Sequence, residues 1–121
     1  MMSHILGIGG FLFRANNPEA LKQWYIETLG LDISGYDWQQ QAGPTVFQPT
    51  ARDTDLFSAD KQWIINFRVD DLQALIAELK AKNVAVEERE EWNASPDEVG
   101  TFARVHDPEG NPIELWQPGE K

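Results

Sequence analysis

A pattern that occurs twice sets the architecture that this chain can adopt. Residues 13–21 read Phe-Arg-Ala-Asn-Asn-Pro-Glu-Ala-Leu and residues 67–75 read Phe-Arg-Val-Asp-Asp-Leu-Gln-Ala-Leu, so the pattern returns after 54 residues. Both copies lie where a strand-like run meets a helix-like run, which favours duplication of a structural unit. We therefore expect one domain, built from a first module at about residues 1–55 and a second module at about residues 60–121.

Each module contains one clear helix. In the first, Asn17 suits the N-cap, Pro18 the first helical position and Gly30 a left-handed stop. Apolar residues recur between them at helical spacing: Leu21, Trp24, Tyr25 and Leu29. A second helix is predicted to begin after Asp71 and to stop near Asn83. Its apolar stripe is Leu72, Leu75, Ile76 and Leu79.

Strand-like runs precede both helices and follow them. The preceding runs cover residues 8–14 and 64–69. Alternation of apolar and polar residues, typical of a half-buried strand, is visible in most of the runs that follow: 32–37, 45–48, 84–88, 101–106 and 113–117. Residues 49–62 are polar and aperiodic, and we interpret them as the connecting loop.

Composition excludes several classes of function. The chain has no cysteine, so disulfides, thiolate metal sites and cysteine nucleophiles are excluded, and it has only two histidines. Its formal net charge of −10 argues against binding to nucleic acid or to an anionic membrane. No stretch approaches the roughly 20 apolar residues of a membrane span, and residues 1–4 lack the features of a signal peptide. We expect a soluble, cytoplasmic protein.

The chain resembles the vicinal oxygen chelate superfamily, which includes glyoxalases, bleomycin-resistance proteins and extradiol dioxygenases. Residues 107–116, Asp-Pro-Glu-Gly-Asn-Pro-Ile-Glu-Leu-Trp, are similar to the Asp-Pro-(Asp/Glu)-Gly-Asn-x-(Ile/Val)-Glu-Leu ending of that superfamily. Residues 24–30 are similar to its (Phe/Trp)-Tyr-x-x-x-Leu-Gly segment, and residues 67–72 to its second strand-to-helix joint. The resemblance covers nearly the whole chain.

This resemblance implies an α+β fold in which paired βαβββ modules form an incompletely closed, eight-stranded barrel. It also implies that copies of the chain associate as a homodimer or a swapped assembly. In the superfamily the barrel cavity holds a divalent metal that chelates neighbouring oxygens of a substrate.

The four positions that would supply metal ligands do not suit a metal here. Matched to the superfamily pattern, they fall on Gly10, near Gln48, on Ile64 and on Glu114, so one strong ligand remains. A catalytic ion such as Zn²⁺ ordinarily needs about three protein ligands. We expect no metal site and no cofactor. The alternative left open is a divalent ion completed by a partner subunit, for example through His4; His106 is expected to be a surface or packing residue.

Glu114 also takes part in a predicted hairpin folded about Glu109. In that register Arg104 lies opposite Glu114 and Phe102 lies opposite Trp116, all on one face. We hypothesise that Arg104 neutralises Glu114 in place of a metal, either to receive a substrate carboxylate or phosphate or to hold Glu114 as a general base. The alternative is a cross-strand ion pair that only stabilises the barrel.

The alternation of side chains between the two faces of each predicted strand gives the candidate site. Glu114 is the candidate catalytic residue, and the candidate ligand-binding residues are Leu12, Gln48, Asn66, Phe102, Arg104 and Trp116. Arg14 and Arg68 share a strand face with Leu12 and Asn66, but they sit at the strand ends, where we expect them to pair with nearby acids. Three tryptophans in or beside loops could cap a pocket, contact a partner or pack in the core: Trp38, Trp63 and Trp92.

Three functions therefore compete. The favoured one is a metal-independent small-molecule-binding protein of the glyoxalase/bleomycin-resistance type, which holds an aromatic or planar ligand without turnover. The second is a glyoxalase-like lyase or isomerase that uses Glu114, with a metal completed at an oligomer interface. The third is a structural or partner-binding domain whose cavity is filled by its own aromatic side chains.

Overall fold

The computed structural model describes residues 3–120 and shows a small α+β fold with a mixed sheet. Its elements, in chain order, are helix α1, strand β1, helix α2, a short 3₁₀ helix, and strands β2 and β3. They span Pro18–Leu29, Ile65–Arg68, Leu72–Ala81, Glu90–Asn93, Gly100–His106 and Pro112–Pro118. The sheet order is β1-β3-β2, with β3 parallel to β1 and antiparallel to β2.

Both helices begin as the repeated pattern predicts. The side chain of Asn17 accepts a hydrogen bond from the Ala20 N–H at 3.2 Å, and the side chain of Asp71 accepts one from the Ala74 N–H at 3.1 Å. These caps satisfy N–H groups that have no partner inside the helix. Helix α1 then stops at Gly30, whose φ of 74° is left-handed. The repeated pattern therefore produces the same kind of cap at the start of both helices.

The core lies between the helices and one face of the sheet. Because strand side chains alternate, every second residue of β2 and β3 points towards the helices. The buried apolar side chains form a single cluster: Leu21, Tyr25, Leu72, Ile76, Leu79, Ala103, Val105, Ile113 and Leu115. The other residues of these strands are left for the opposite face of the sheet.

The turn between β2 and β3 is tied to α1 through Asp107, which is only 4% exposed. Its Oδ1 accepts the backbone N–H groups of Glu109 and Asn111 at 2.9 and 3.0 Å. Its Oδ2 accepts the Tyr25 hydroxyl at 2.7 Å and the Asn111 side-chain amide at 2.8 Å. The buried carboxylate is thus fully hydrogen-bonded, as a charge removed from water must be.

Glu109 makes a second link between the same turn and α1. Its carboxylate accepts the backbone N–H groups of Asn16 and Asn17 at 2.6 and 3.0 Å. A negative charge at this end of a helix is also favoured by the helix dipole. The turn between β2 and β3 therefore holds the hairpin against α1 through Asp107 and Glu109.

Three of the predicted strands form and the others do not. Strands β1, β2 and β3 match the predicted runs 64–69, 101–106 and 113–117. Residues 3–64 contain no assigned strand, and residues 84–88 contribute an isolated bridge between Glu87 and Arg104. A strand needs a hydrogen-bonded neighbour, and the runs at 8–14, 32–37 and 45–48 have no ladder partner within the described part of this single chain. The eight-stranded barrel and the module boundaries remain predictions. Neither described helix is both long and apolar enough to cross a bilayer.

Candidate functional site

The face of the sheet that points away from the helices carries most of the predicted site. We call it the distal face and define it by Asn66, Phe102, Arg104, Glu114 and Trp116. The ladder places Asn66 beside Glu114 and Arg104 opposite Glu114, with Phe102 opposite Trp116. The predicted register of the hairpin is confirmed. A polar row therefore crosses all three strands, and an adjacent aromatic row crosses β2 and β3.

The ion pair predicted between Arg104 and Glu114 is wrong. The Glu114 carboxylate instead accepts a hydrogen bond from the Asn66 side-chain amide at 2.7 Å. Among residues 3–120 the ion pairs are Lys80–Glu88 and Arg89–Glu87. Both partners make another contact instead: Glu114 with an amide in the adjacent strand, and Arg104 with an aromatic ring.

Arg104 is a buried cation held by a ring. Its residue exposure is 7%, and its guanidinium carbon lies 5.0 Å from the centre of the Trp92 ring. Such cation–π contacts stabilise a charge by about 0.5–2 kcal/mol. A ring face supplies no acceptor oxygen, however, and the Arg104 Nε atom is fully buried with no hydrogen-bond partner.

Trp92 is the site residue that the sequence analysis did not identify as part of the distal face. A second cation, Arg89, lies 5.1 Å from the same ring and also pairs with Glu87 at 2.7 Å. The 3₁₀ helix that carries Trp92 is fixed to β2, because the Asn93 side chain accepts the Phe102 N–H at 2.8 Å. The sequence signal for this contact is an arginine, Arg89, three residues before Trp92, in a charged run at residues 87–91.

The aromatic row is held in a fixed geometry. The rings of Phe102 and Trp116 are parallel within 2°, with centroids 6.0 Å apart. The Trp116 indole N–H donates to the Val99 carbonyl at 2.9 Å. Gly100 allows this arrangement: its φ is +120°, and a Cβ there would lie 2.8 Å from the Trp116 indole nitrogen. The two stacked rings place an aromatic pair on the strands that carry Arg104 and Glu114.

Other predicted site residues are not brought to the distal face. Leu12 is 93% exposed and Gln48 is also exposed in the single chain, and their assignment to a ligand site remains a prediction. Arg68 donates to the Gln41 carbonyl at 3.0 Å instead of pairing with an acid. Arg14 is exposed and has no ion pair among residues 3–120.

The remaining loop tryptophans pack against other aromatic rings. Trp63 lies 4.7 Å from Phe11 and 5.4 Å from Phe13, measured between ring centroids. Trp38 lies 6.1 Å from Phe67. Of the three alternatives considered for these residues, packing therefore describes their contacts within this chain.

A shallow depression of about 510 Å³ lies away from the distal face, between α1 and the turn that follows β2. Its lining includes Asn17, Trp24 and Glu109, and none of the residues that define the distal face. The predicted site on the hairpin and this depression are therefore separate features of the molecule.

The residues available do not fit the metal site of the superfamily. Of the four matched positions, Gly10 has no side chain, Ile64 has no donor and Gln48 is exposed, which leaves the single carboxylate of Glu114. No group of three or more His, Cys, Asp or Glu side chains within residues 3–120 could hold a metal ion. One carboxylate falls short of the donor set that a tightly held divalent ion requires.

Comparison with known proteins places these observations in a family. The family model of the Glyoxalase-like domain matches residues 10–116. No curated protein sequence gives a significant match.

Solved structures agree with that family. TnmS3, an antibiotic binding protein from Streptomyces sp. CB03234, is 27% identical, with a TM-score of 0.58 and coverage of 96% of this chain and 100% of that one. A glyoxalase/bleomycin resistance protein from the same organism is 28% identical, with a TM-score of 0.52 and coverage of 84% and 92%. The integron cassette protein VCH_CASS1 from the mobile metagenome of V. cholerae, at 17% identity and a TM-score of 0.50, shares the fold.

Proposed function

The chain belongs to the Glyoxalase-like domain family, and from this premise we propose that it binds a planar small molecule without turning it over. The observation that carries the proposal is the placement of Arg104, Glu114 and the Phe102–Trp116 rings on the sheet face that the core does not use. Small-molecule sites combine apolar and aromatic surface with a few polar groups that fix orientation. The distal face has this composition.

The relatives support a binding function of this type. One is described as an antibiotic binding protein and another as a glyoxalase/bleomycin resistance protein. Glu114 is the one carboxylate among the four positions matched to metal ligands, which also favours binding of a small molecule without the metal of the superfamily. The net charge of −10 argues for a small molecule rather than a nucleic acid as partner.

We further propose that a second copy of the chain covers the distal face and completes the eight-stranded barrel. Large apolar side chains of the first module are exposed in the single chain, including Ile5 at 95% and Leu6 at 98%. Phe47, in the predicted strand at residues 45–48, is also exposed, at 79%. Exposed apolar groups on segments without ladder partners are typical of an interface. Sedimentation should give a particle of about 27 kDa, twice 13.7 kDa, and a monomer at micromolar concentration would contradict this arrangement.

The binding proposal is tested with a panel of bicyclic and tricyclic aromatic compounds, measured by isothermal titration calorimetry. We expect at least one compound to bind with a micromolar Kd and Trp116→Leu to weaken it at least tenfold. Trp24→Leu, on α1, is the matched control because it also removes one indole but lies away from the distal face. If no compound binds, or if both variants weaken binding equally, the proposal is wrong.

One observation favours a second candidate, a glyoxalase-like lyase or isomerase. The Glu114 carboxylate has an amide partner and no cation among residues 3–120, so it is available as a general base, with a metal completed at an oligomer interface. Near-stoichiometric Ni, Zn or Fe in protein purified without chelator, together with turnover that Glu114→Gln abolishes, would support this candidate and contradict the first.

A further inference from the structure

We propose that the ligand is an aromatic carboxylate whose carboxylate group binds to Arg104. This inference rests on the function proposed above and specifies the ligand class that the distal face selects.

The first argument concerns the hydrogen bonds of Arg104. A guanidinium has five N–H donors, and the Nε atom of Arg104 is fully buried with no hydrogen-bond partner. A buried donor without a partner destabilises the folded chain, and more so when the group is charged. An oxygen-bearing ligand that reaches this group removes that cost.

The second argument concerns the neighbouring carboxylates of Glu87 and Glu114, neither of which forms an ion pair with Arg104. Glu87 pairs with Arg89 through both Nε and Nη2 at 2.7 Å. Glu114, directly opposite Arg104 in the ladder, binds Asn66. The cation is therefore buried without a carboxylate of its own. A carboxylate supplied by the ligand forms two parallel hydrogen bonds with a planar guanidinium, the strongest arrangement available to it.

The third argument gives the rest of the ligand its shape. Phe102 is two residues from Arg104 on the same strand and face, a distance of about 7 Å along a strand. Trp116 lies opposite Phe102 with its ring parallel. An aromatic ring system attached to a carboxylate held at Arg104 would thus reach this stacked pair. A bicyclic aromatic acid has the required length.

The test compares three probes that share one ring system: 2-naphthoate, the neutral 2-naphthamide and the cationic 2-naphthylmethylammonium. Titrations are run by calorimetry at about 150 mM salt, where the repulsion between an anion and a protein of net charge −10 is largely screened. We expect 2-naphthoate to bind at least tenfold more tightly than 2-naphthamide, with the ammonium probe weakest.

Variants assign the preference to Arg104. Arg104→Met should reduce the preference for naphthoate over naphthamide to less than twofold, whereas Arg52→Met, which removes the same charge from an exposed position, should preserve it. Circular dichroism melts establish that each variant is folded. Should Arg104→Met not fold, Arg104→Lys keeps the charge but lacks the planar fork, and it should lose most of the preference.

The outcomes separate the two proposals. If the amide or the ammonium probe binds as tightly as naphthoate, or if the Arg104 variants keep the preference, the carboxylate inference is wrong while small-molecule binding on the distal face stands. If none of the three probes binds but another aromatic compound does, the inference is again wrong. If no compound of either panel binds, both proposals are wrong.

Discussion

The hydrogen bond between Tyr25 and Asp107 offers the sharpest test of how the hairpin is held against α1. The change Tyr25→Phe removes the hydroxyl that donates to Asp107 Oδ2 at 2.7 Å and keeps the ring. The ring makes edge contacts with Phe13, Trp24 and Phe67 at centroid distances of 6.1, 5.2 and 6.3 Å, and these contacts remain in the variant. The substitution therefore isolates one hydrogen bond.

Its expected magnitude follows from the charge and the burial of the acceptor. A hydrogen bond to a charged group contributes about 1.5–3 kcal/mol to stability. Asp107 Oδ2 would keep only the Asn111 amide as a partner. We expect the free energy of unfolding to fall by about 1.5–3 kcal/mol and, at about 3–5 °C per kcal/mol for a domain of this size, the Tm to fall by roughly 5–15 °C.

The assay is urea and thermal unfolding followed by circular dichroism at fixed protein concentration. Tyr36→Phe is the matched control, because Tyr36 is fully exposed, and its effect should stay within about 0.5 kcal/mol. A Tyr25→Phe effect no larger than that of the control would refute the reasoning.

The pH dependence gives a second readout for the same group. Burial, together with the hydrogen bond to Asp107 and the negative charge of that carboxylate, raises the pKa of Tyr25 well above its usual value. A raised pKa means that the contribution of the phenol is fully present below about pH 10 and is lost as the pH rises above that value. The stability difference between wild type and Tyr25→Phe should therefore shrink above pH 10.

Four further substitutions test other parts of the fold. Gly100→Ala places a Cβ against the Gln117 carbonyl oxygen and the Trp116 indole nitrogen at a φ of +120°, so the free energy of unfolding should fall by about 2 kcal/mol or more, and the tryptophan fluorescence should shift. Glu109→Gln replaces a carboxylate oxygen by an amide group facing the N-terminus of α1 and should cost about 1 kcal/mol, measured by urea unfolding. Asn17→Ala and Asp71→Ala each remove a helix cap and should each lower stability by about 1 kcal/mol in the same assay.

The helices and the hairpin could be predicted from the sequence because their signals are local. Asn17, Asp71 and Gly30 act within one turn of the helix that they begin or end. The register of β2 against β3 is likewise local, since a short turn centred near Glu109 fixes which residues face each other. Parity along two paired strands was then enough to assign Arg104 and Glu114 to the same face.

The partners of Arg104 and Glu114 could not be predicted, because they come from segments whose position relative to the hairpin does not follow from the alternation of side chains along its strands. Asn66 reaches Glu114 through the parallel pairing of β1 with β3, and Trp92 reaches Arg104 from a 3₁₀ helix whose path the sequence does not define. Leu12 and Gln48 were assigned from strands that have no ladder in this chain. Long-range pairing, rather than local propensity, decides all of these positions.

Because side chains alternate along β2 and β3, the residues that stabilise the core and the residues proposed to bind a ligand lie on opposite faces of the sheet. Ala103 and Val105 are fully buried in the core, whereas Phe102 and Arg104 belong to the distal face of the same strand. The bonds that attach the hairpin to α1 lie at its turn, through Asp107, and not on that face. Changes at Phe102 or Arg104 therefore leave the core contacts and the helix attachment in place. Loss of ligand binding in a variant that keeps the wild-type Tm would thus report on the distal face itself.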